Sequence, residues 1–243
     1  MDHFLVIVLV GVAVFALAAA AQAVTGFGSA LVGVPLLAVV VDPVAAVVSV
    51  TAVAFVMTTA AVRRERHHLE GSTVRRFVVW GLLGLPIGLA ALRLLPPARL
   101  TLVMAVVLLL LVGLLAAGIR LPSGPVAQRV AGVTSGALLT STGMNGPPLV
   151  VMFQAMGMSP LRFRATLQAV FSIQDLLAVV GFAVVGSFSR TALLLVLGGM
   201  AGMPLGWAVG DRAFHALSPV VFRRIVLGLL AVTAVVAGTK ALA

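Results

Sequence analysis

The residues able to do chemistry in this chain are few, and most sit beside glycine. Thr25-Gly26-Phe27-Gly28-Ser29 and Ser141-Thr142-Gly143-Met144-Asn145-Gly146-Pro147-Pro148 combine flexible backbone with hydroxyl and amide side chains. Each interrupts a long apolar run. Irregular backbone at membrane depth is tolerated only where protein or a water-filled cavity covers it. Pro147-Pro148 suits the first turn of a following half-helix, where missing N–H groups cost little. A helix N-terminus offers N–H donors and partial positive charge. Two such ends meeting from opposite sides would make a neutral, donor-rich site for an anion. The substrate-binding candidates are therefore Thr25, Gly26, Gly28, Ser29, Thr142, Gly143, Asn145, Gly146, Pro147 and Pro148. The competing reading is that these glycines only permit close helix packing, as small residues do in lipid. Packing does not explain Asn145 beside two prolines.

A second constellation is a polar stripe. Arg164, Gln168, Ser172 and Asp175 are spaced four, four and three residues apart, so they share one helix face. Asp175 is the one carboxylate well inside an apolar run. An intramembrane acid is costly and is by default a functional-site hypothesis. It could carry a coupling proton, or it could be a structural acid hydrogen-bonded near Gln174 or Gln22. Arg162 and Arg164 stand at the mouth of that run, where they could attract an anion or simply mark the cytoplasmic side. Arg93, near a run end, reads as a snorkelling side chain. His67, His68 and Glu70 lie in an Arg-rich loop without further ligands, which reads as a solvated loop and not a metal site. With no Ser–His pairing inside the apolar runs and no Walker A or dinucleotide motif, the chain reads as a non-enzyme without cofactor or metal.

The elements that must position these residues follow from composition. Of 243 residues, 62% are hydrophobic and 9% charged, and mean hydropathy is +1.24. A soluble domain is about half apolar and about a quarter charged. The net charge of +10 could suggest nucleic acid, but the basic residues occupy short gaps between apolar runs, the pattern of a multi-pass membrane protein. Absent cysteine excludes disulfides and thiol chemistry. Runs of spanning length or nearly so cover 4–24, 26–41, 43–62, 77–95, 100–118, 165–186, 191–210 and 224–242, with shorter runs at 130–142 and 149–157. Ala21-Gln22-Ala23 resembles a signal-peptidase site, but no Lys or Arg precedes the run, so it reads as a retained segment.

The halves repeat. Thr25-Gly26 returns as Thr142-Gly143, and Asp42-Pro43 as Ser159-Pro160, each 117 residues on. Gly81-x-x-Gly84-x-Pro86-x-Gly88 returns 118 residues on as Gly199-x-x-Gly202-x-Pro204-x-Gly206. The expected architecture is an all-α polytopic domain over 1–243: repeat one at 1–118, a linker at 119–125 and repeat two at 126–243. Each repeat has a Gly-broken or re-entrant element plus three transmembrane helices, giving 8 to 10 segments. If each broken region returns to its own side, 12 of the 16 Lys+Arg fall on one face. The positive-inside rule makes that face cytoplasmic. Each repeat then crosses an odd number of times, so the halves are inverted and both termini are non-cytoplasmic. Such duplication is common in secondary transporters. The 13-residue and 9-residue halves of the second break point to a hairpin with its tip near the midplane.

The patterns Gly26-Phe27-Gly28-Ser29…Val34-Pro35-Leu36-Leu37 with Asp42-Pro43, and Gly136…Gly143-x-x-Gly146-Pro147-Pro148-Leu149 with Arg164-Ala165-Thr166, resemble the two signatures of the sulfite exporter TauE/SafE family. The resemblance runs along nearly the whole chain. It implies a bacterial inner-membrane permease for small anions such as sulfite, sulfonates, sulfoacetate and other organosulfur or small organic anions, with export driven by the proton-motive force. The expected function is thus a secondary transporter, an exporter of small anions by alternating access, with protons as a candidate coupling partner and the lipid bilayer as its surroundings. The alternatives are a facilitative anion channel and a non-transporting membrane assembly subunit.

Overall fold

A computed structural model of the chain describes residues 3–96, 98–100 and 122–216, with isolated positions 102, 103, 106, 110, 113 and 221. Most of the expected run 100–118 and all of 224–242 lie outside the described residues. Among the described residues every regular element is helical: α1 His3–Thr25, α2 Ser29–Val40, α3 Pro43–Glu65, a 3-10 turn Arg66–His68, α4 Gly71–Leu94, α5 Pro125–Thr142, α6 Gly146–Ala155, α7 Pro160–Val184 and α8 Arg190–Ala216. Five carry stretches long and apolar enough to cross a bilayer: Phe4–Thr25, Pro43–His68, Gly71–Leu94, Leu161–Val184 and Arg190–Ala213. The chain is therefore a multi-pass helical membrane protein. At 1.5 Å per residue, α2 and α6 rise only about 15–18 Å, roughly half a hydrocarbon core.

The helix starts are written locally. Asp42 accepts a hydrogen bond from the Ala45 N–H at 3.0 Å while Pro43 takes the first helical position of α3. Ser189 does the same for the Ala192 N–H at the head of α8, at 3.1 Å. Pro125 and Pro160 open α5 and α7. Helix α5 begins at Pro125, earlier than the apolar run from 130 suggests. Its polar first turns are satisfied by neighbours: Arg76 donates to Gln128 Oε1, Gln128 Nε2 donates to the Ser123 carbonyl, and the Arg129 guanidinium lies 5.2 Å from the Trp80 ring centroid. The arm before the second break is thus 18 residues long, not 13.

Helices α3 and α7 form the inner pair. Their apolar windows are 61% and 50% buried, against 28%, 39% and 33% for α1, α4 and α8. They cross antiparallel: Thr58 meets Asp175, Thr59 meets Ser172, and Glu70 just beyond α3 reaches Arg162 and Thr166 at the start of α7. The outer helices pair in parallel, α1 with α8 and α5 with α4. Gly202, Gly206 and Gly210 face the carbonyls of Val12, Ala16 and Ala20, so closely that a Cβ would collide with each oxygen. Gly84 and Gly88 face the carbonyls of Val133 and Ala137 in the same way. The repeated glycine motif is therefore the seam of both outer pairs. In lipid, where burial supplies little drive between helices, such close backbone approach gains dispersion and is what small residues permit.

Two apolar clusters fill the space between. One gathers Leu37, Val47, Leu139, Met144 and Phe182; the other gathers Phe77, Leu149, Phe153 and Leu167. In the second, Phe153 meets Phe77 and Phe163 edge-to-face at 5.1 and 6.1 Å. Outward positions such as Ile87, Val184, Leu197 and Leu205 are exposed and apolar, as a lipid-facing surface requires.

Candidate functional site

Both glycine breaks are real interruptions, and they are built alike. Helix α1 ends at Thr25 and Gly26 follows at φ +82°; α5 ends at Thr142 and Gly143 follows at φ +74°. A side chain is strained in that left-handed region, which explains glycine at both positions. The breaks lie against each other's hairpins. A Cβ on Gly143 would meet the Val34 side chain at 2.9 Å, and one on Gly146 would meet Phe27 at 3.4 Å.

The first break is held by amides. Gln22 Oε1 accepts the Ser29 N–H at 2.9 Å, and Thr25 Oγ1 accepts the Phe27 N–H at 3.1 Å. The Gly26 carbonyl accepts from Gln22 Nε2 at 3.3 Å and from Gln168 Nε2 at 3.0 Å. Gln22 Nε2 also reaches Gln168 Oε1 at 3.2 Å. Two of the N–H groups expected to face a solute are thus met from within the protein. The hydroxyls of Thr25, Ser141 and Thr142 donate back to the carbonyls of Ala21, Ala137 and Leu138, four residues earlier on their own helices.

The second break is tied to α7. Ser135 Oγ lies 3.0 Å from the Asn145 carbonyl and 3.1 Å from Gln174 Oε1, and Asn145 Nδ2 donates to the same Gln174 oxygen at 3.4 Å. Gln174 Nε2 donates to the Phe77 carbonyl at 3.3 Å, joining α4 to the network. Asp175 is buried and accepts from Thr58 Oγ1 at 3.4 Å, with the Asn145 amide beside it. Gln174 is therefore engaged elsewhere. Ser172 and Thr59 share a hydrogen bond at 2.7 Å. Arg164 Nη2 pairs with Glu65 at 2.7 Å, and its Cγ would touch a Cβ on Gly26 at 3.4 Å. In the basic loop, Glu70 pairs with Arg162 at 3.4 Å and accepts from Thr73, while His67 and His68 are exposed.

Between the breaks lies a narrow cavity of ≈ 10 Å³, about what one water needs. Ser29, Gly143, Asn145 and Asp175 line it, so four of the residues singled out from sequence converge there. Thr25, Gly26, Gly28, Thr142, Gly146, Pro147 and Pro148 do not line it, and neither do Arg164, Ser172 or Gln168, although Gln168 braces the first break. Gln22, Thr51, Thr58 and Phe171 also line the cavity and escaped the sequence reading as site residues. The repeat carried a signal for two of them, since Thr51 and Thr58 occupy the positions 117 residues before Gln168 and Asp175. Thr51 Oγ1 is buried and has no hydrogen-bond partner.

A wider cavity of ≈ 430 Å³ opens between the C-terminal ends of α3 and α8, beside Arg64 and Arg212. A tight seam separates the two spaces. Met57 and Met203 from the wide cavity and Ser29 and Ala54 from the narrow one line it together.

The family model for sulfite exporter TauE/SafE matches residues 11–237. The chain belongs to the sulfite exporter TauE/SafE family. A similar relative is the "Probable sulfite/organosulfonate exporter TauE" of Cupriavidus necator (strain ATCC 17699 / DSM 428 / KCTC 22496 / NCIMB 10442 / H16 / Stanier 337), 26% identical over 219 residues, which cover 86% of this chain and 85% of that protein. No solved structure matches the chain. As a TauE/SafE member it is a membrane transporter of the exporter type and not an enzyme. Both glycine breaks and the polar stripe fall inside the matched span of this TauE/SafE protein.

Proposed function

We propose that the chain is a secondary transporter that expels small anions from the bacterial cytoplasm across the inner membrane, sulfite and organosulfonates among them, by alternating access between two inverted repeats. The substrate class follows the relative's name. The binding site is the narrow cavity: Ser29, Thr51 and Asn145 donate to the anion, and the two broken backbones frame it. Asp175 takes the coupling proton, so that the carboxyl is neutral when the anion is in place. An inside-negative potential assists expulsion by about 2.3 kcal/mol per charge per 100 mV.

One observation carries this reading: equivalent parts of the two repeats are packed differently. Gly202 and Gly206 of α8 correspond to Gly84 and Gly88 of α4, and Val12 and Ala16 of α1 correspond to Arg129 and Val133 of α5. Gly84 faces Val133, yet Gly202 faces Val12 and it is Gly206 that faces Ala16. The two seams differ by one helical turn, about 6 Å at 1.5 Å per residue. One-turn slips between packed helices are a known form of two-state transition. The open cavity fits the same picture. The residues equivalent to its walls include Leu85, Leu89, Leu177 and Ala178, which are packed into the apolar core beside Phe182. One end is thus open and its counterpart shut. The open end carries Arg64 and Arg212 and gathers the other basic ends, which supports a cytoplasm-facing state with both termini on the far side.

The inverted repeats, 1–118 and 126–243 joined by 119–125, draw further support from the centre. Thr58 and Asp175 are 117 residues apart and hydrogen-bonded to one another. A residue touches its own counterpart only near an axis relating the two halves. Reconstituted protein tested with sulfite, sulfoacetate and taurine should take up at least one, faster with a pH gradient. Asn145→Leu should weaken uptake in a protein that still folds. Liposomes that move none of these anions would overturn the reading, and flux that neither saturates nor answers to pH would replace it with a channel.

A further inference from the structure

We infer that the wide cavity between α3 and α8 is a second anion site, a capture site for a singly charged organic anion with a small apolar tail. The inference rests on the transport reading above. The cavity is far larger than the narrow one, ≈ 430 against ≈ 10 Å³, and far larger than a bare oxyanion needs. Its charged groups are Arg64, Arg212 and Asp211, two cations and one anion. That balance favours one negative charge over two, because a dianion would also meet the Asp211 carboxylate. A further acid close to Asp211, Glu65, is paired with Arg164 at 2.7 Å. The remaining wall is apolar: Met57, Ala60, Met203 and the Trp207 indole, which suit a carbon chain and not hydrated sulfate.

Guanidinium groups hold a sulfonate or carboxylate through paired N–H donors, with more geometric specificity than a lysine would give. The positive-inside pattern asks only for arginines outside the bilayer. It does not ask that two of them share a cavity with an indole, nor that the cavity end against the methionine seam before the narrow site. A solute held here sits one barrier away from the breaks, with Met57 and Met203 as the unbranched side chains that must move aside. Unbranched thioethers adapt at low cost.

The chain has two tryptophans, so Trp80→Phe leaves Trp207 as its single indole. In the purified full-length variant, ethanesulfonate should change Trp207 fluorescence in a saturable way. The response should persist when Asn145→Leu disables the narrow site. Arg64→Gln or Arg212→Gln should raise the half-saturation concentration roughly tenfold or more, the worth of one charge-assisted contact. Ala60→Phe fills the cavity without touching its charge and should abolish the response, which keeps the test valid if an arginine variant fails to fold. No saturable change in a protein that still transports overturns the capture site and leaves the transport reading standing. A response lost with Asn145→Leu also overturns it, because the signal then belongs to the narrow site. Sulfate competing as well as ethanesulfonate overturns the organic monoanion. A saturable response in protein that moves no anion into liposomes supports the site and overturns the transport reading.

Discussion

Thr51→Val should make the protein more stable and a worse transporter at once. The Thr51 hydroxyl lies on α3, 1% exposed, facing the narrow cavity, and has no partner. A buried hydroxyl without a hydrogen bond costs about 1–3 kcal/mol. Valine keeps the branched shape and removes that cost, so the empty protein should gain on the order of 1 kcal/mol. For a chain of this size each kcal/mol moves a melting midpoint by about 2–4 °C. The loaded protein has the opposite sign. A hydroxyl donating to an anion oxygen makes a charge-assisted bond worth about 1.5–3 kcal/mol, so its loss should weaken binding by roughly 10- to 150-fold.

Thermal unfolding in detergent and concentration-dependent uptake in liposomes read the two effects on one preparation. Thr58→Val is the control. The Thr58 hydroxyl donates within the protein, to the Phe55 carbonyl at 3.2 Å or to Asp175 at 3.4 Å, so its loss should destabilise. A Thr51→Val protein that melts lower would mean the hydroxyl has a partner in the empty state. One that transports with unchanged half-saturation would mean Thr51 never touches the solute. Either result refutes the argument from the orphan hydroxyl.

The other expectations concern the scaffold and the stripe. Gly206→Ala or Gly88→Ala must push a methyl into a backbone carbonyl and should cost about 1–3 kcal/mol of thermal stability, whereas Gly71→Ala, with open space around a new Cβ, should stay within about 0.5 kcal/mol. Arg164→Ala leaves the largely buried Glu65 without its ion-pair partner; a double-mutant cycle with Glu65→Ala should return a coupling of about 1–3 kcal/mol, and no measurable coupling would count against the pair. Asp175→Asn keeps a polar group opposite Thr58 and should end pH-driven accumulation while sparing solute exchange; full pH-driven uptake in that variant would remove the proton from the mechanism. In this cysteine-free chain, His68→Cys and Arg93→Cys should react with impermeant reagent from opposite sides of the membrane, and labelling from one side would break the topology.

Much of the fold was legible because lipid leaves few options. Spanning lengths, proline starts and the two Thr-Gly junctions all appear in the sequence, and the junctions do become left-handed breaks at Gly26 and Gly143. The beginning of α5 was less legible, because Gln128 and Arg129 precede the apolar run; Arg76 donates to Gln128 and the Trp80 ring lies against Arg129. The glycine motif marked the repeat but did not announce its task, since close backbone approach depends on a partner helix far away in sequence. The hydroxyls of Thr25 and Thr142 show a different limit. Residue type announces a donor, but the rotamer decides whether it serves a solute or its own helix, and here both turn back onto α1 and α5. Gln22 reads from sequence only as a candidate neighbour of Asp175, because a glutamine in an apolar run does not name its partner. Its work is to bind Ser29, Gly26 and Gln168 across the first break.

On the proposed inverted-repeat reading, the asymmetry of the polar stripe has a physical rationale at the place where the repeats would meet. Thr58 and Asp175 are counterparts in the duplicated pattern, and they touch. Had both repeats kept the acid, two carboxylates would face each other at hydrogen-bond distance in a water-poor interior. Like charges there disfavour one another, so one of the two would stay protonated over much of the pH range. A single acid opposite a hydroxyl avoids that conflict and still leaves a group able to change its charge. A hydroxyl also suits either state of its neighbour, donating to a carboxylate or accepting from the acid. On the proposed reading, a single acid at the junction of the repeats keeps the proton-carrying group free of a competing carboxylate. The same reasoning predicts that adding the missing acid, as Thr58→Asp, should disable pH-driven transport more severely than Thr58→Val, although it restores the symmetry of the stripe; equal activity of the two variants would refute it.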